Sequence, residues 1–219
     1  MNAEDRKIPS HELTYARLRD MVLFGHLEPG QPVTIQGLVG DLDAGMTPVR
    51  EAIRRLTAEG ALLPQGNRRV TVPRLTMGTL EELAFARLTI EPKLAELAGA
   101  RLTPDLVAQL AAIDDQVNAA IRAGDIPAYL ESNHAFHFAL YEASGAAVLT
   151  DMARSLWLRF GPSLRVVAGL PGATSLTDNH ATALAAMRSG DLAAMVAAMR
   201  SDIAQGVDQV RAALASGAV

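Results

Sequence analysis

Thr47-Pro-Val-Arg-Glu-Ala-Ile-Arg-Arg-Leu-Thr-Ala-Glu-Gly60 reads as a short helix with Thr47 at its N-cap and Pro48 in the first helical position. Glu51 falls in the first turn, where the helix dipole favours an anion, and Gly60 ends the run. Val49, Ala52, Ile53 and Leu56 recur at helical spacing and can bury one stripe, while Arg50, Arg54 and Arg55 stand off it. A helix that buries one side and shows Arg at i and i+4 on another can lie in a major groove, reaching phosphates and guanine edges. Taken alone, the same pattern equally describes a surface helix with solvated arginines.

The flanks separate the two readings. Thr34-Ile-Gln-Gly-Leu-Val-Gly-Asp-Leu42 reads as a second short amphipathic helix with Thr34 as its N-cap, and Asp43-Ala-Gly-Met46 is a tight connection of helix-turn-helix type. Beyond Gly60, Leu62-Leu-Pro-Gln-Gly-Asn-Arg-Arg-Val-Thr-Val72 reads as two short strands around a Gly66-Asn67 turn, with Arg68 and Arg69 beside the tip. Helix, turn, helix and basic hairpin make a winged helix-turn-helix. Residues 46–74 carry six Arg against Glu51 and Glu59, a local reversal of sign in a chain whose net charge is −4. Thr47, Arg50 and Arg54 on the helix, with Asn67 and Arg68 in the wing, are the candidate DNA-binding residues.

The remainder is of another character. From Thr76 onward the pattern is consistently helical, and Leu102-Thr-Pro, Gly124-Asp, Ser144-Gly, Leu170-Pro-Gly and Ser189-Gly-Asp divide it into six helices. These span about 76–101, 104–123, 125–144, 147–167, 175–189 and 191–215. The fold class expected is mainly α: a winged helix-turn-helix over residues 1–74, with a small β-hairpin wing, then an antiparallel helical bundle over residues 75–219. The chain has 219 residues and no cysteine, which excludes disulfides, thiolate metal sites and a Cys nucleophile. No apolar run approaches the ~20 residues of a membrane span, and the N-terminus lacks the apolar segment of a signal peptide. A cytoplasmic location follows as the expectation. Charge is uneven: residues 1–74 hold ten Lys/Arg and nine acids, residues 75–219 ten and fifteen. Nucleic acid would therefore meet the first part.

Two places in the bundle put polar residues where Leu is usual. In Leu130-Glu-Ser-Asn-His-Ala-Phe-His-Phe-Ala-Leu140, Asn133 and His137 are four apart and share a face, and His134 and His137 are three apart. In the last helical hairpin, His180 lies ten residues before Gly190 and Asp202 eleven after Asp191. At ~1.5 Å per residue both sit about 16 Å from the turn, at one level. Two imidazoles, a carboxylate and an amide oxygen converging from three helices suit a divalent metal with positions left open. Packing histidines satisfied within the core are the plain alternative. Arg87 follows an apolar run and can either meet an effector carboxylate or pair with Glu91 four residues on. Arg159 and Arg165 are further candidates for a cavity, and Trp157 for the core.

These stretches carry a family resemblance. Leu18-Arg-Asp-Met-Val-Leu-Phe-Gly-His-Leu-Glu-Pro-Gly30, Thr47-Pro-Val-Arg-Glu-Ala52 and Arg54, Leu56, Glu59 and Gly60 resemble the winged helix of GntR-type bacterial transcription regulators. Met46 stands where that family has Arg, and Arg69 where it has a wing Gly. Arg87-x-x-x-Glu91, Asn133-x-x-Phe-His137, His180 with Gly190-Asp191, and position 202 resemble the FCD effector domain of FadR-type members. In that domain an Asp and three His commonly hold a metal that takes part in effector recognition. Here Asn133 replaces the Asp and Asp202 the last His, leaving Asn133, His137, His180 and Asp202 as the candidate metal set, with His134 as a substitute for Asn133. The usual Asn after Ala-Ser-Gly is Ala146.

The resulting expectation is a homodimeric, ligand-responsive regulator that binds double-stranded operator DNA and senses a small organic acid. A divalent ion (zinc, nickel or manganese) and Arg87 would recognise the effector. The alternatives are a metal-free sensor of an apolar ligand and a two-His, one-carboxylate metalloenzyme; the pairing of bundle and winged helix favours sensing.

Overall fold

The computed structural model describes residues 10–66, 69–168 and 177–217. α1 (Ser10–Leu23) buries Leu18, Val22 and Leu23. The strand β1 (Pro32–Thr34) leads directly into α2 (Ile35–Asp41), where the Thr34 hydroxyl accepts the Gly37 amide at 2.9 Å. The turn that follows holds Asp43 at φ +45°, a left-handed conformation that Asp tolerates better than most side chains.

α3 (Met46–Ala58) corrects one expectation. Its N-cap is Gly45, with extended backbone, and the Gly45 carbonyl accepts the Val49 amide at 3.2 Å. Thr47 and Pro48 therefore lie inside the first turn, where a missing proline N–H leaves no helical bond unmade. Glu51 lies beyond the first turn and pairs with Arg54 instead of the helix end.

The wing has three strands. β2 (Leu63–Gln65) and β3 (Arg69–Thr71) form the expected antiparallel pair, and β1 adds to the other edge of β3. Val33 and Pro64 both stand opposite Val70.

Six helices follow: α4 (Met77–Gly99), α5 (Pro104–Ala123), α6 (Ile126–Ala143), α7 (Ala147–Ala168), α8 (Asn179–Ser189) and α9 (Leu192–Ser216). Thr76, Thr103, Asp125, Asp178 and Asp191 each cap a helix by accepting the backbone amide three residues on. With Asp178 as its cap, α8 starts at Asn179; the start expected at residue 175 lies outside the described residues. Pro92 sits inside α4 without ending it. The carbonyl it orphans, that of Leu88, takes a hydrogen bond from Arg200 Nη1 on α9 at 3.0 Å.

One apolar cluster runs from Leu18, Val49 and Leu56 of the winged helix through Leu94, Phe138 and Trp157 to Met199 of the bundle. A second joins Leu80, Phe160, Leu164 and Val207. α7 makes the junction: Arg159 Nε donates to the Glu59 carbonyl at 3.0 Å, and the Arg165 stem lies over Gly25. Gly25 has φ +70°, so the chain passes beneath that stem in a conformation other residues strain to adopt. Neither arginine lines the cavity described below. Among the described residues no helix is long and apolar enough to cross a membrane.

Candidate metal centre and recognition helix

α3 buries Val49, Ala52, Ile53 and Leu56 against α1 and α2, as its spacing predicts, and this turns Thr47, Arg50 and Arg54 to solvent. Its three arginines differ in what they touch. Arg50 has no ion-pair partner among the described residues, whereas Arg54 is held by Glu51 at 2.6 and 2.9 Å. Arg55 is turned inward. Its Nη1 meets Glu12 at 2.9 Å and its guanidinium lies 3.6 Å over the Tyr15 ring, whose hydroxyl donates to Glu59. Arg55 thus ties α3 to α1 and is not a free cation. Asn67 and Arg68 lie outside the described residues.

In the bundle, His137 of α6, His180 of α8 and Asp202 of α9 converge. His137 Nε2 is 3.4 Å from His180 Nε2 and 3.0 Å from Asp202 Oδ2, and His180 Nε2 is 3.8 Å from the same oxygen. Both imidazoles are buried. Each is also held from behind. His180 Nδ1 faces Asp114 Oδ1 of α5 at 3.1 Å, Asp114 Oδ2 accepts from Asn118 at 3.1 Å, and Phe136 stacks on the His180 ring. His137 Nδ1 is 2.9 Å from the Tyr141 hydroxyl, which donates to Glu91 Oε2 at 2.7 Å. Glu91 is fully buried and also receives Trp157 Nε1 at 2.9 Å and both Arg87 Nε and Nη2.

This chain of bonds orients both Nδ1 atoms. Tyr141 has one proton and spends it on Glu91, so its oxygen must accept from His137 Nδ1–H. The Asp114 carboxylate likewise accepts from His180 Nδ1–H. With both rings neutral, the two Nε2 atoms would face each other and the Asp202 carboxylate as acceptors, so the cluster takes a cation: a proton on an imidazole shared with Asp202 Oδ2, or a metal ion. Either cation balances the Asp202 charge beside two buried rings. Ionisation follows the same demand. Burial pushes the His137 imidazole below its ordinary value, against the pull of Asp202. For His180 burial acts the same way, but the bond to Asp114 and the Asp202 charge outweigh it and raise the ring. Burial would raise Asp202, yet the bond to His137 holds its carboxyl below the usual range.

The donor set fits a divalent metal. Two imidazole nitrogens ~2.0–2.1 Å from one tetrahedral ion lie roughly 3.3 Å apart, close to the spacing found, and an outer partner on each Nδ1 is what fixes a metal-binding imidazole. Three of the four expected residues thus supply ligand atoms in mutual reach. Asn133 is buried on the wall of the adjacent cavity. His134 is not a substitute for it: the ring stacks on Phe138 and meets Trp157 and Phe24 edge-on, toward α1, and burial pushes its pKa down to about 3.

Arg87 needs a second correction. The guanidinium is 3% exposed, bonded to Glu91 and lying over the Trp157 and Phe160 rings, and it does not line the cavity. The ion-pair alternative is the one the fold adopts. Asp114 and Tyr141 escaped the sequence reading. Asp114 had a signal: it falls in register with Leu110 and Val117 on the buried stripe of α5, where a carboxylate needs a partner. Trp157 was expected in the core and is there, with its indole N–H used.

A winged helix with an exposed basic recognition helix, fused to a helical bundle with a polar cavity, defines a transcriptional regulator. The chain belongs to the GntR family of bacterial regulatory proteins: residues 11–72 match that family's model, and residues 82–205 match the FCD domain. Among its relatives is the HTH-type transcriptional regulator McbR of Escherichia coli (strain K12), 30% identical over 177 residues, 80% of each chain. The solved structure of McbR superposes with a TM-score of 0.85 at 27% identity, covering 96% of this chain and 99% of that one. The Nta operon transcriptional regulator of Aminobacter aminovorans is 30% identical over 138 residues, 62% of this chain and 64% of that protein. A GntR regulator from Rhodococcus sp. RHA1 shares the fold at 20% identity, with a TM-score of 0.74 over 93% of this chain and 98% of that one.

Proposed function

We propose that this chain is a ligand-responsive, homodimeric transcription regulator whose bundle holds a divalent metal on His137, His180 and Asp202 and takes its effector in the adjoining cavity. The observation that carries the metal is the convergence of His137, His180 and Asp202 side-chain atoms within 4.8 Å of one another, with each Nδ1 held by a partner behind it. An ion held by these three residues would supply a positive centre beside the cavity that His180 and Asp202 line. Two imidazoles and one carboxylate suit zinc, nickel or manganese. Each winged helix meets one half-site of a two-fold operator, with Arg50 and Arg54 as the cations of the recognition helix and Thr47 beside them. Asn67 and Arg68 complete the reading in the wing.

The route from cavity to DNA is short. His137 connects through Tyr141 and Glu91 to Trp157 on α7, and α7 carries the Arg159 and Arg165 contacts to the winged helix. An effector that favours one packing of α6 against α7 thereby biases the placement of α1 and α3, a population shift rather than a new contact at the DNA. The facial arrangement of two His and one Asp also occurs in metalloenzymes, but a winged helix has no part in turnover and the relatives are regulators.

The test is metal analysis of full-length protein, stripped with chelator and reloaded with zinc, beside Asp202→Ala treated identically. One zinc per wild-type chain and a raised Tm, both lost in the variant, supports the reading. Wild type that neither takes up zinc, nickel or manganese nor gains stability from them ends it.

A further inference from the structure

The first residue of α3 is apolar, and the fold does not use it. Met46 is half-buried and packs against neither of the two apolar clusters. It lies three residues before Val49 and four before Arg50, at the edge where the buried stripe meets the arginine face. Thr47, Arg50 and Arg54 beside it are exposed. A single half-exposed methionine elsewhere on a surface needs no explanation. This one stands at the N-terminal end of the helix that a winged helix offers to the major groove, and the N-terminal residues of such helices are the ones that contact base edges.

The side chains around it divide the readout by chemistry. Arg50 and Arg54 donate, and so can meet guanine O6 and N7 or a phosphate. Thr47 both donates and accepts. Met46 has no N–H or O–H to offer. Laid on a guanine or cytosine edge, it would cover polar atoms without replacing their bonds to water, which costs free energy. One group displayed in the major groove asks for an apolar neighbour, the 5-methyl of thymine. An unbranched thioether with three rotatable bonds can lean onto that methyl from the edge of the helix.

We infer that Met46 is a specificity-determining residue of the recognition helix, reading a thymine methyl in each operator half-site. This rests on α3 being the helix that enters the major groove. The arginines hold the helix on the duplex and read donors and acceptors, while Met46 adds discrimination that no hydrogen bond carries. Removing one methyl from such a contact should weaken binding about fourfold.

The test begins with a duplex selected by the full-length protein from a random library long enough for two half-sites a helical turn apart. Each thymine is then replaced by deoxyuridine, which removes only the methyl, at symmetry-related positions of both half-sites. Affinity is measured by fluorescence anisotropy for wild type, Met46→Ala, Met46→Leu and Thr47→Ser, with Tm recorded for each. One thymine per half-site is expected to show the methyl effect with wild type and with Met46→Leu. Met46→Ala should bind the thymine and deoxyuridine duplexes alike, because the two changes remove one contact and do not add. A second selection with Met46→Arg should return guanine at that position. The inference is overturned if no thymine is methyl-sensitive, if Met46→Ala keeps the wild-type sensitivity, if Thr47→Ser abolishes it instead, or if Met46→Arg still selects thymine there. Arg50→Ala on the same duplex tests the helix itself: undiminished binding by that variant counts against α3 as the recognition helix, whatever Met46 does.

Discussion

The α-carbon of Gly161 on α7 faces the backbone carbonyl of Leu23 at the end of α1, so closely that a Cβ at residue 161 would lie 2.3 Å from the oxygen. Backbone cannot yield there as a flexible side chain could. The winged helix and the bundle are seated on each other at this point. Gly161→Ala should force α1 off α7 and cost about 1–3 kcal/mol in overpacking. Thermal unfolding should show a lower Tm, and operator binding should respond less to effector. An unchanged Tm would mean that the two parts do not rest on this contact.

Tyr141 joins the metal centre to the buried Arg87–Glu91 pair. Tyr141→Phe removes the acceptor of His137 Nδ1–H and one donor to Glu91. Zinc affinity should fall roughly 10–100-fold through loss of the outer partner, measured by competition with a chromophoric chelator. Glu91→Gln is harsher: it leaves a buried guanidinium without its charge partner and should cost about 3–5 kcal/mol in urea unfolding.

The three arginines of α3 should separate in DNA binding. Arg50, free of ion pairs among the described residues, should lose about 1–3 kcal/mol of operator affinity on replacement by Ala if it reads a base. Arg54→Ala should lose less, since DNA must first displace Glu51, and Glu51→Gln should tighten binding to random duplex. Arg55→Ala should lower stability by breaking the contacts to Glu12 and Tyr15, and change affinity only as the fold loosens. Gel-shift titrations at two salt concentrations, on operator and on random duplex, distinguish the three.

Alkaline stability should carry the mark of Tyr15. Its phenol pKa is pushed up to about 12, first by burial and then by the hydrogen bond to Glu59. Between the ordinary phenol value of 10 and that figure, the unfolded chain releases a proton that the folded one keeps, so this contribution to stability falls as pH rises. Tyr15→Phe should lose stability at neutral pH but show a shallower decline from pH 10 to 12. Parallel slopes for the two proteins would remove Tyr15 from that transition.

Much of the fold was legible because its signals are local. Helix caps and breaks act within four residues, so the six bundle helices could be placed from punctuation, the start of α8 excepted. The stripe Val49, Ala52, Ile53 and Leu56 announced which side of α3 is buried, and hence which arginines are not. Local rules also erred locally. Thr-Pro looked like the start of α3, but Gly45 reached the capping geometry first. β1 was unreadable because Pro32-Val33-Thr34 is too short to alternate, and exists as a strand only by pairing with β3, which lies more than thirty residues further along the chain.

The sequence by itself determined the winged helix, the bundle, and the level at which His180 and Asp202 meet, since rise per residue from a shared turn fixes that. It could not decide what stands behind each imidazole. Tyr141, Glu91, Trp157 and Asp114 come from four helices, and the contacts that join them span 43 to 66 residues apart from the local Tyr141–His137 step. Those contacts hold each imidazole from behind and commit Arg87 to Glu91. Side-chain charge is written in the chain, but whether a charge faces a ligand or a partner depends on helix packing, and that was decided in three dimensions.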